Sequence, residues 1–127
     1  MTSEEKRRLI ERYLDAYNRF DIDGMLALIH PDIEFKNLSG GQITAAASGI
    51  DAFRDLADQS TTLFSSRRQQ ITDFSSQDDR ATIQVAYEGV LAVDLPNGLQ
   101  AGETLALTGR SEFTFREGKI ISLTDIS

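Results

Sequence analysis

The fold is decided by one stretch of the sequence, ATIQVAYEGVLAV at residues 81–93. Apolar residues or glycine occupy every second position, and Thr82, Gln84 and Glu88 lie between them. Successive side chains of a β-strand point to opposite faces, so this period of two predicts a long strand with one buried face. The predicted buried face consists of Ala81, Ile83, Val85, Tyr87, Gly89, Leu91 and Val93.

A second alternating stretch at residues 105–115 predicts the return strand of a hairpin. The connection contains Asn97-Gly98, a pair that favours tight turns because both residues tolerate positive φ. Gly118 then leads into the last stretch, GKIISLTDIS, where strand parity puts Asp125 on the same face as Ile121 and Leu123. Two interpretations of this acid stay open. It is either exposed near the chain end, or a pocket carboxylate whose pKa is raised by burial and which moves protons.

Helical periods precede these strands. A capping box at Thr2 or Ser3 and an apolar stripe that ends at Phe20 predict the first helix. We predict a turn at residues 21–24, a second helix at residues 25–29, and a third helix from residue 49 to residue 64. Short strands are predicted at residues 32–37 and 67–74, and a loop at residues 38–48.

Helices that come first and long strands that follow predict an α+β fold with the helices on one face of the sheet. Gly89 and Gly109 lie inside predicted strands, where glycine often marks a bend, so we expect a curved sheet. Helices laid over a concave sheet leave a space between the two layers. Such a space is a natural site for a ligand.

Composition excludes several functions. The chain of 127 residues suits one domain, residues 1–127, and its net charge of −7 disfavours nucleic acids and anionic membranes as partners. With no cysteine and one histidine, His30, we expect neither a metal site nor a thiol nucleophile. No motif indicates a cofactor, and the N-terminus has no hydrophobic signal core. We therefore expect a soluble, cytoplasmic protein that uses no cofactor.

The motifs resemble those of the nuclear transport factor 2-like superfamily over nearly the whole chain. The resemblance is carried by IERYLDAYN at residues 10–18, DIDGMLAL at 21–28, HPDIEF at 30–35, GIDAFR at 49–54, GRSEFTF at 109–115 and GKII at 118–121. The chain is most similar to the SnoaL-like and ketosteroid isomerase-like branches. The resemblance implies a single SnoaL-like domain, a cystatin-like cone in which three N-terminal helices pack on a curved, mostly antiparallel sheet and enclose a pocket.

The resemblance also implies site residues. Ketosteroid isomerases use a tyrosine of the first helix as an oxyanion donor, and Tyr13 matches it. Their general base is an aspartate at the end of the first strand, and their second donor is a buried, protonated aspartate on the penultimate strand. Asn37 and Ser111 stand at these two positions. Because an amide cannot accept a proton at neutral pH, we do not expect steroid isomerisation by that route. SnoaL-like cyclases place an acid on the last strand, and Asp125 falls near that position.

Three functions stay open. In the first, the protein is an enzyme for cofactor-free proton transfer of the isomerase, cyclase or hydrolase type. Its substrate would be a hydrophobic, carbonyl-bearing molecule, with Asp125 and Tyr13 as the catalytic residues. In the second, the pocket binds a small hydrophobic ligand without catalysis. In the third, the domain dimerises and side chains fill the pocket. The expected pocket wall consists of Tyr17, Phe35, Asn37, Phe53, Leu56, Tyr87, Ser111, Phe113 and Leu123.

A second copy of the chain is the expected protein partner. The outer face of the return strand carries Thr108, Arg110, Glu112 and Thr114. This face is polar but has side chains that suit a strand, and plain solvent exposure with cross-strand ion pairs is the alternative explanation. The resemblance implies a homodimer through this convex sheet face.

Overall fold

A computed structural model describes all 127 residues and shows three helices and a six-stranded sheet. The helices are α1 (Ser3–Asn18), α2 (Ile22–Leu26) and α3 (Ile50–Thr61). The strands are β1 (Ile29–Ser39), β2 (Gln42–Ser48), β3 (Phe64–Gln77), β4 (Arg80–Leu91), β5 (Thr104–Arg116) and β6 (Lys119–Ile126). Their order in the sheet is β2-β1-β6-β5-β4-β3, and only β1 and β6 pair in parallel. The predicted α+β fold, with helices on a curved and mostly antiparallel sheet, is confirmed.

Helix α1 forms where the sequence predicts it. The side chain of Thr2 accepts a hydrogen bond from the backbone N–H of Glu5, and the carboxylate of Glu5 accepts one from the backbone N–H of Thr2. This reciprocal capping satisfies two N–H groups that have no partner within the helix. At the other end, Asn18 exchanges two hydrogen bonds with the backbone of Gln69, which fixes the helix against β3.

The segment around α2 differs from the prediction. The helix spans Ile22–Leu26, earlier than the predicted 25–29, and residues 21–24 are not a free turn. The reason is that the carboxylate of Asp21 accepts a hydrogen bond from the backbone N–H of Gly24, which makes Asp21 the N-cap. Since the helix ends early, β1 begins at Ile29 and is longer than the predicted strand.

The prediction of a loop at residues 38–48 is wrong, because most of this segment forms the edge strand β2. Its alanines have low strand propensity, but the backbone pairs with β1 in an antiparallel ladder from Glu34↔Ser48 to Ser39↔Gln42. Gly40 and Gly41 form the hairpin turn at positive φ, which glycine adopts without strain. Backbone pairing therefore overrides local propensity here.

The inner face of β4 follows the predicted alternation up to Leu91, which is 2% exposed. Val93 lies beyond the strand and is 39% exposed, so its assignment to the inner face is wrong. In β6 a bulge lies between the pairs Thr114↔Ser122 and Phe115↔Ile120. Because a bulge reverses side-chain parity, Ile120 enters the core in place of Ile121.

One hydrophobic core lies between the helices and the concave face of the sheet. The largest of its fully buried side chains include Ile10 of α1, Ile33 of β1, Ile83 of β4 and Phe113 of β5. No helix is both long enough and apolar enough to cross a membrane.

Candidate functional site

A cavity of about 510 Å³ lies between the helices and the concave sheet. Exposed residues at the end of α3 and just after it, Gln59, Thr62 and Leu63, form its rim. Most of its wall is hydrophobic. The residues that line it are Tyr13, Leu14, Tyr17, Met25, Phe35, Asn37, Ala45, Phe53, Leu56, Ala57, Gln59, Ser60, Thr62, Leu63, Gln69, Ser111, Phe113 and Asp125.

Three polar residues of the wall form one row across three neighbouring strands. Asp125 of β6 pairs with Asn37 of β1 on one side and with Ser111 of β5 on the other. The bulge in β6 precedes Asp125, so its side chain shares the inward face with Leu123. Strand register therefore brings the acid, the amide and the hydroxyl together on the inner face of the sheet.

Asp125 is the only acid in the cavity wall. Its Oδ1 accepts a hydrogen bond of 2.6 Å from the hydroxyl of Ser111. Burial raises the pKa of Asp125 from 3.8 to about 6, and the Ser111 hydrogen bond acts in the opposite direction by stabilising the carboxylate. A carboxyl group with such a pKa can accept and return a proton near neutral pH.

Tyr13 lies on α1 and is 5% exposed. Its ring packs edge-on against Phe113 with 6.4 Å between ring centroids. Burial raises the pKa of Tyr13 well above its usual value, and the negative charge of Asp125 raises it further. The phenol therefore keeps its proton at neutral pH and can act as a hydrogen-bond donor toward the cavity that it lines.

Asn37 and Tyr17 are two further polar residues of the cavity wall that were predicted from the sequence. The side-chain amide of Asn37 donates to the hydroxyl of Thr44 at 2.7 Å, so one of its donor hydrogens is engaged on β2. The hydroxyl of Tyr17 lies 3.1 Å from the hydroxyl of Tyr87. Burial raises the pKa of both of these tyrosines, so both are neutral at physiological pH.

A second cavity of about 310 Å³ adjoins the first. The residues that line both cavities are Tyr17, Asn37, Gln69, Ser111 and Asp125. The far wall of the second cavity includes Tyr87, Leu105 and Leu107. The polar row therefore stands at the junction of two spaces rather than at the bottom of one.

The predicted site residues divide into three groups by position. Those in the wall of the main cavity are Tyr13, Tyr17, Phe35, Asn37, Phe53, Leu56, Ser111, Phe113 and Asp125. Tyr87 lines the second cavity. Leu123 lines neither cavity, because it is 1% exposed and belongs to the core below.

Several polar residues on this side of the molecule were not predicted from the sequence, among them Ser60, Gln69 and Arg67. Ser60 and Gln69 line the main cavity, and Arg67 lies behind them with 4% of its surface exposed. The only signal in the sequence was the pair Arg67-Arg68, whose alternation on β3 puts one arginine inside and the other outside. No group of three or more His, Cys, Asp and Glu side chains is arranged to hold a metal ion.

Known structures share this architecture. A proposed polyketide cyclase from Xanthomonas campestris pv. campestris is 25% identical, with a TM-score of 0.80 over 98% of this chain and 91% of that chain. A second proposed polyketide cyclase, from Silicibacter sp. TM1040, is 24% identical, with a TM-score of 0.76 over 98% and 90% of the two chains. TerC, co-crystallised with polyporic acid, is 22% identical, with a TM-score of 0.77 over 96% and 90%.

No curated protein sequence matches the chain. The SnoaL-like domain, in contrast, matches residues 10–123. This range includes the second half of α1, the sheet up to Leu123 and every residue of the main cavity wall except Asp125. The chain therefore belongs to the SnoaL-like domain family.

Proposed function

We propose that this protein binds a small, hydrophobic, carbonyl-bearing molecule and catalyses a cofactor-free proton transfer on it, of the cyclase or isomerase type. Family membership and the likeness to a proposed polyketide cyclase that is 25% identical support a small-molecule site. The observation that carries the proposal is the position of Asp125. It is the one acid of a largely apolar cavity of about 510 Å³ and is held by a hydrogen bond from Ser111.

In this proposal Asp125 is the general base. Its carboxylate takes a proton from the carbon next to the ligand carbonyl, and the electron pair of the broken C–H bond moves into an enolate. The hydroxyl of Tyr13 donates a hydrogen bond to the developing oxyanion. The protonated Asp125 then returns the proton to another carbon, or to the product of ring closure. Ser111 keeps the carboxylate oriented during both steps.

Ligand binding without catalysis is the second candidate. The observation that favours it is the absence of a second acid, because Asn37 and Ser111 are neutral and the amide of Asn37 is bonded to Thr44. Many proton-transfer sites use two titratable groups with separated pKa values. The third function considered, a domain whose pocket is filled by side chains, fits poorly with a cavity of about 510 Å³.

The test follows hydrogen–deuterium exchange of 2-tetralone in D₂O by proton NMR. This bicyclic ketone has acidic hydrogens next to its carbonyl. We expect the wild-type protein to accelerate their exchange above the buffer rate and Asp125→Asn to return it to that rate. The matched control is Asp73→Asn on β3, an exposed carboxylate whose loss is expected to leave the exchange unchanged.

Two results would decide against the enzyme. Exchange at the wild-type rate in a folded Asp125→Asn protein would remove the proposed base. Saturable binding of 2-tetralone by the wild-type protein, with no exchange above buffer, would favour the binding role.

We also propose a cytoplasmic homodimer that associates through the convex face of the sheet. That face is polar but suited to strand packing, with Thr108 and Arg110 exposed on β5. A charge placed at its centre by Thr108→Glu would have to be buried in such a dimer. Sedimentation should therefore show dimers for the wild-type protein and monomers for the variant, whereas equal masses would contradict this interface.

A further inference from the structure

The guanidinium of Arg67 is a buried positive charge that forms no ion pair with a carboxylate. Its Nε donates to the backbone carbonyl of Tyr17 at 2.9 Å, and its Nη1 donates to the hydroxyl of Ser60 at 3.0 Å. Nη2 is buried without a hydrogen-bond partner. None of the ion pairs of the protein includes Arg67. Buried charges in proteins are usually paired, so this charge calls for a functional explanation.

The charge lies directly behind the wall of the cavities. The guanidinium carbon is 3.7 Å from the ring centroid of Tyr17 and 4.4 Å from that of Phe20, so the group is held by two aromatic rings. Tyr17 lines both cavities, and Ser60 lines the main one. In surroundings of low polarity such a charge acts through the wall on any group bound at Tyr17.

The hydroxyls of Tyr17 and Tyr87 provide a donor at the same place. They lie 3.1 Å apart and either can be the donor of their mutual hydrogen bond. Each hydroxyl carries one proton, so whichever donates, one proton of the pair is left for a further acceptor. Both residues line the second cavity, where a ligand oxygen can reach them.

We propose that the Tyr17–Tyr87 hydroxyl pair, backed by the guanidinium of Arg67, is a second oxyanion site that binds the enol or phenol oxygen of a ligand as its anion. The class of ligand follows from the geometry. One free donor proton fits a single oxygen atom, and the unpaired positive charge of Arg67 favours that oxygen in its ionised form. A carboxylate would present two acceptor oxygens to this one donor.

The charge of Arg67 is opposite to that of Asp125, the proposed base. Asp125 is the one charged side chain that lines both cavities, and Arg110 lines only the second. When Asp125 takes a proton from the ligand, the negative charge moves from the carboxylate to a ligand oxygen, while the charge of Arg67 stays in place. Arg67 is thus a positioning residue that acts through Tyr17. The inference rests on the proposed function only in assuming that a ligand enters these cavities.

The test uses 4-nitrophenol, whose phenolate absorbs visible light and whose phenol does not. The protein is titrated into the probe at a pH just below the pKa of the free probe, where most of it is neutral. We expect binding to increase the phenolate absorbance, with the released proton passing to the buffer. The uncharged ether 4-nitroanisole should bind at least about tenfold more weakly, since it offers no anionic oxygen to the donor.

Variants assign this effect to the three residues. Tyr17→Phe and Tyr87→Phe each remove one hydroxyl and little volume, and each should weaken phenolate binding by about tenfold or more, as the loss of a hydrogen bond to a charged group does. Arg67→Gln should abolish the gain in phenolate absorbance, and Arg67→Lys should recover part of it because the charge is restored. Circular dichroism establishes that each variant is folded.

The Asp125→Asn protein separates this inference from the proposed function. Its phenolate binding should equal or exceed that of the wild type, because a competing negative charge is gone, even though its ketone exchange is lost. Wild-type phenolate affinity in the folded Tyr17→Phe and Tyr87→Phe proteins would overturn the inference. Equal affinity for 4-nitrophenol and 4-nitroanisole would overturn the inference as well, because the cavity would then bind the aromatic ring without recognising the phenolic oxygen.

Discussion

Replacing Asp125 by asparagine should stabilise the protein at neutral pH and much less at acid pH. Burial raises the pKa of this carboxyl from 3.8 to about 6. The folded protein therefore binds the proton more tightly than the unfolded chain does. Stability contributed by the protonated group is complete below the unfolded pKa and is lost as the pH rises through the folded pKa. Asparagine has nearly the same shape, carries no charge, and can still accept the hydrogen bond of Ser111.

The size of the effect follows from the two pKa values. A separation of about two pKa units corresponds to about 3 kcal/mol in the free energy of unfolding above the folded pKa. At pH 8 the variant should gain up to about 3 kcal/mol, and at pH 4 the gain should shrink to about 0.5 kcal/mol, because the carboxyl of the wild-type protein is then protonated when folded. The local environment of Asp125, and not helix or strand propensity, determines this gain.

Urea denaturation at pH 8 and pH 4, followed by circular dichroism, measures the difference. Asp73→Asn is the matched control, since this exposed carboxylate should change the free energy of unfolding by less than about 0.5 kcal/mol at either pH. The same gain for Asp125→Asn at both pH values would show that ionisation is not its source. The absence of any gain at pH 8 would refute the argument that burial penalises this carboxylate.

Three further variants test the neighbours of the site and the frame that holds it. Ser111→Ala removes the hydroxyl whose hydrogen bond lowers the pKa of Asp125. NMR titration of this carboxyl should therefore find a pKa that is higher by roughly 1 unit, and a lower pKa would contradict the argument. Gly109→Ala puts a Cβ 2.7 Å from the carbonyl oxygen of Ile126, and urea denaturation should show a loss of about 1–3 kcal/mol. Thr2→Ala breaks the capping box of α1 and should cost about 1 kcal/mol in the same assay, with no loss arguing against the cap.

The long strands were predictable because their alternation reflects burial directly. In β4 the side chains of Ala81, Ile83 and Val85 are buried as the period of two requires. The same reasoning placed Ser111 and Phe113 on the inner face of β5. Because these strands carry much of the sheet side of the cavity, most of the predicted pocket residues lie in its wall.

Features that depend on partners distant in sequence could not be predicted. The edge strand β2 forms because its backbone pairs with β1. The local sequence of residues 42–48 does not predict a strand. The bulge that sends Ile120 inward belongs to the pairing of β6 with β5. Arg67 became informative only when Tyr17, Phe20 and Ser60 were seen around it, because its lack of a carboxylate partner is a property of the folded structure.

The strand register also explains how one acid can serve this pocket. The resemblance to ketosteroid isomerases implies carboxyl groups at the positions of Asn37 and Ser111, whereas here these neutral residues stand on either side of Asp125. A carboxylate next to Asp125 would raise its pKa further by repulsion between like charges. With neutral neighbours the pKa stays at about 6. Most of the carboxyl is then ionised at physiological pH. In the proposed reaction it can therefore accept a proton, and the negative charge that develops on the ligand would be stabilised by Tyr13 and by the Tyr17–Tyr87 pair rather than by the neutral Asn37 and Ser111.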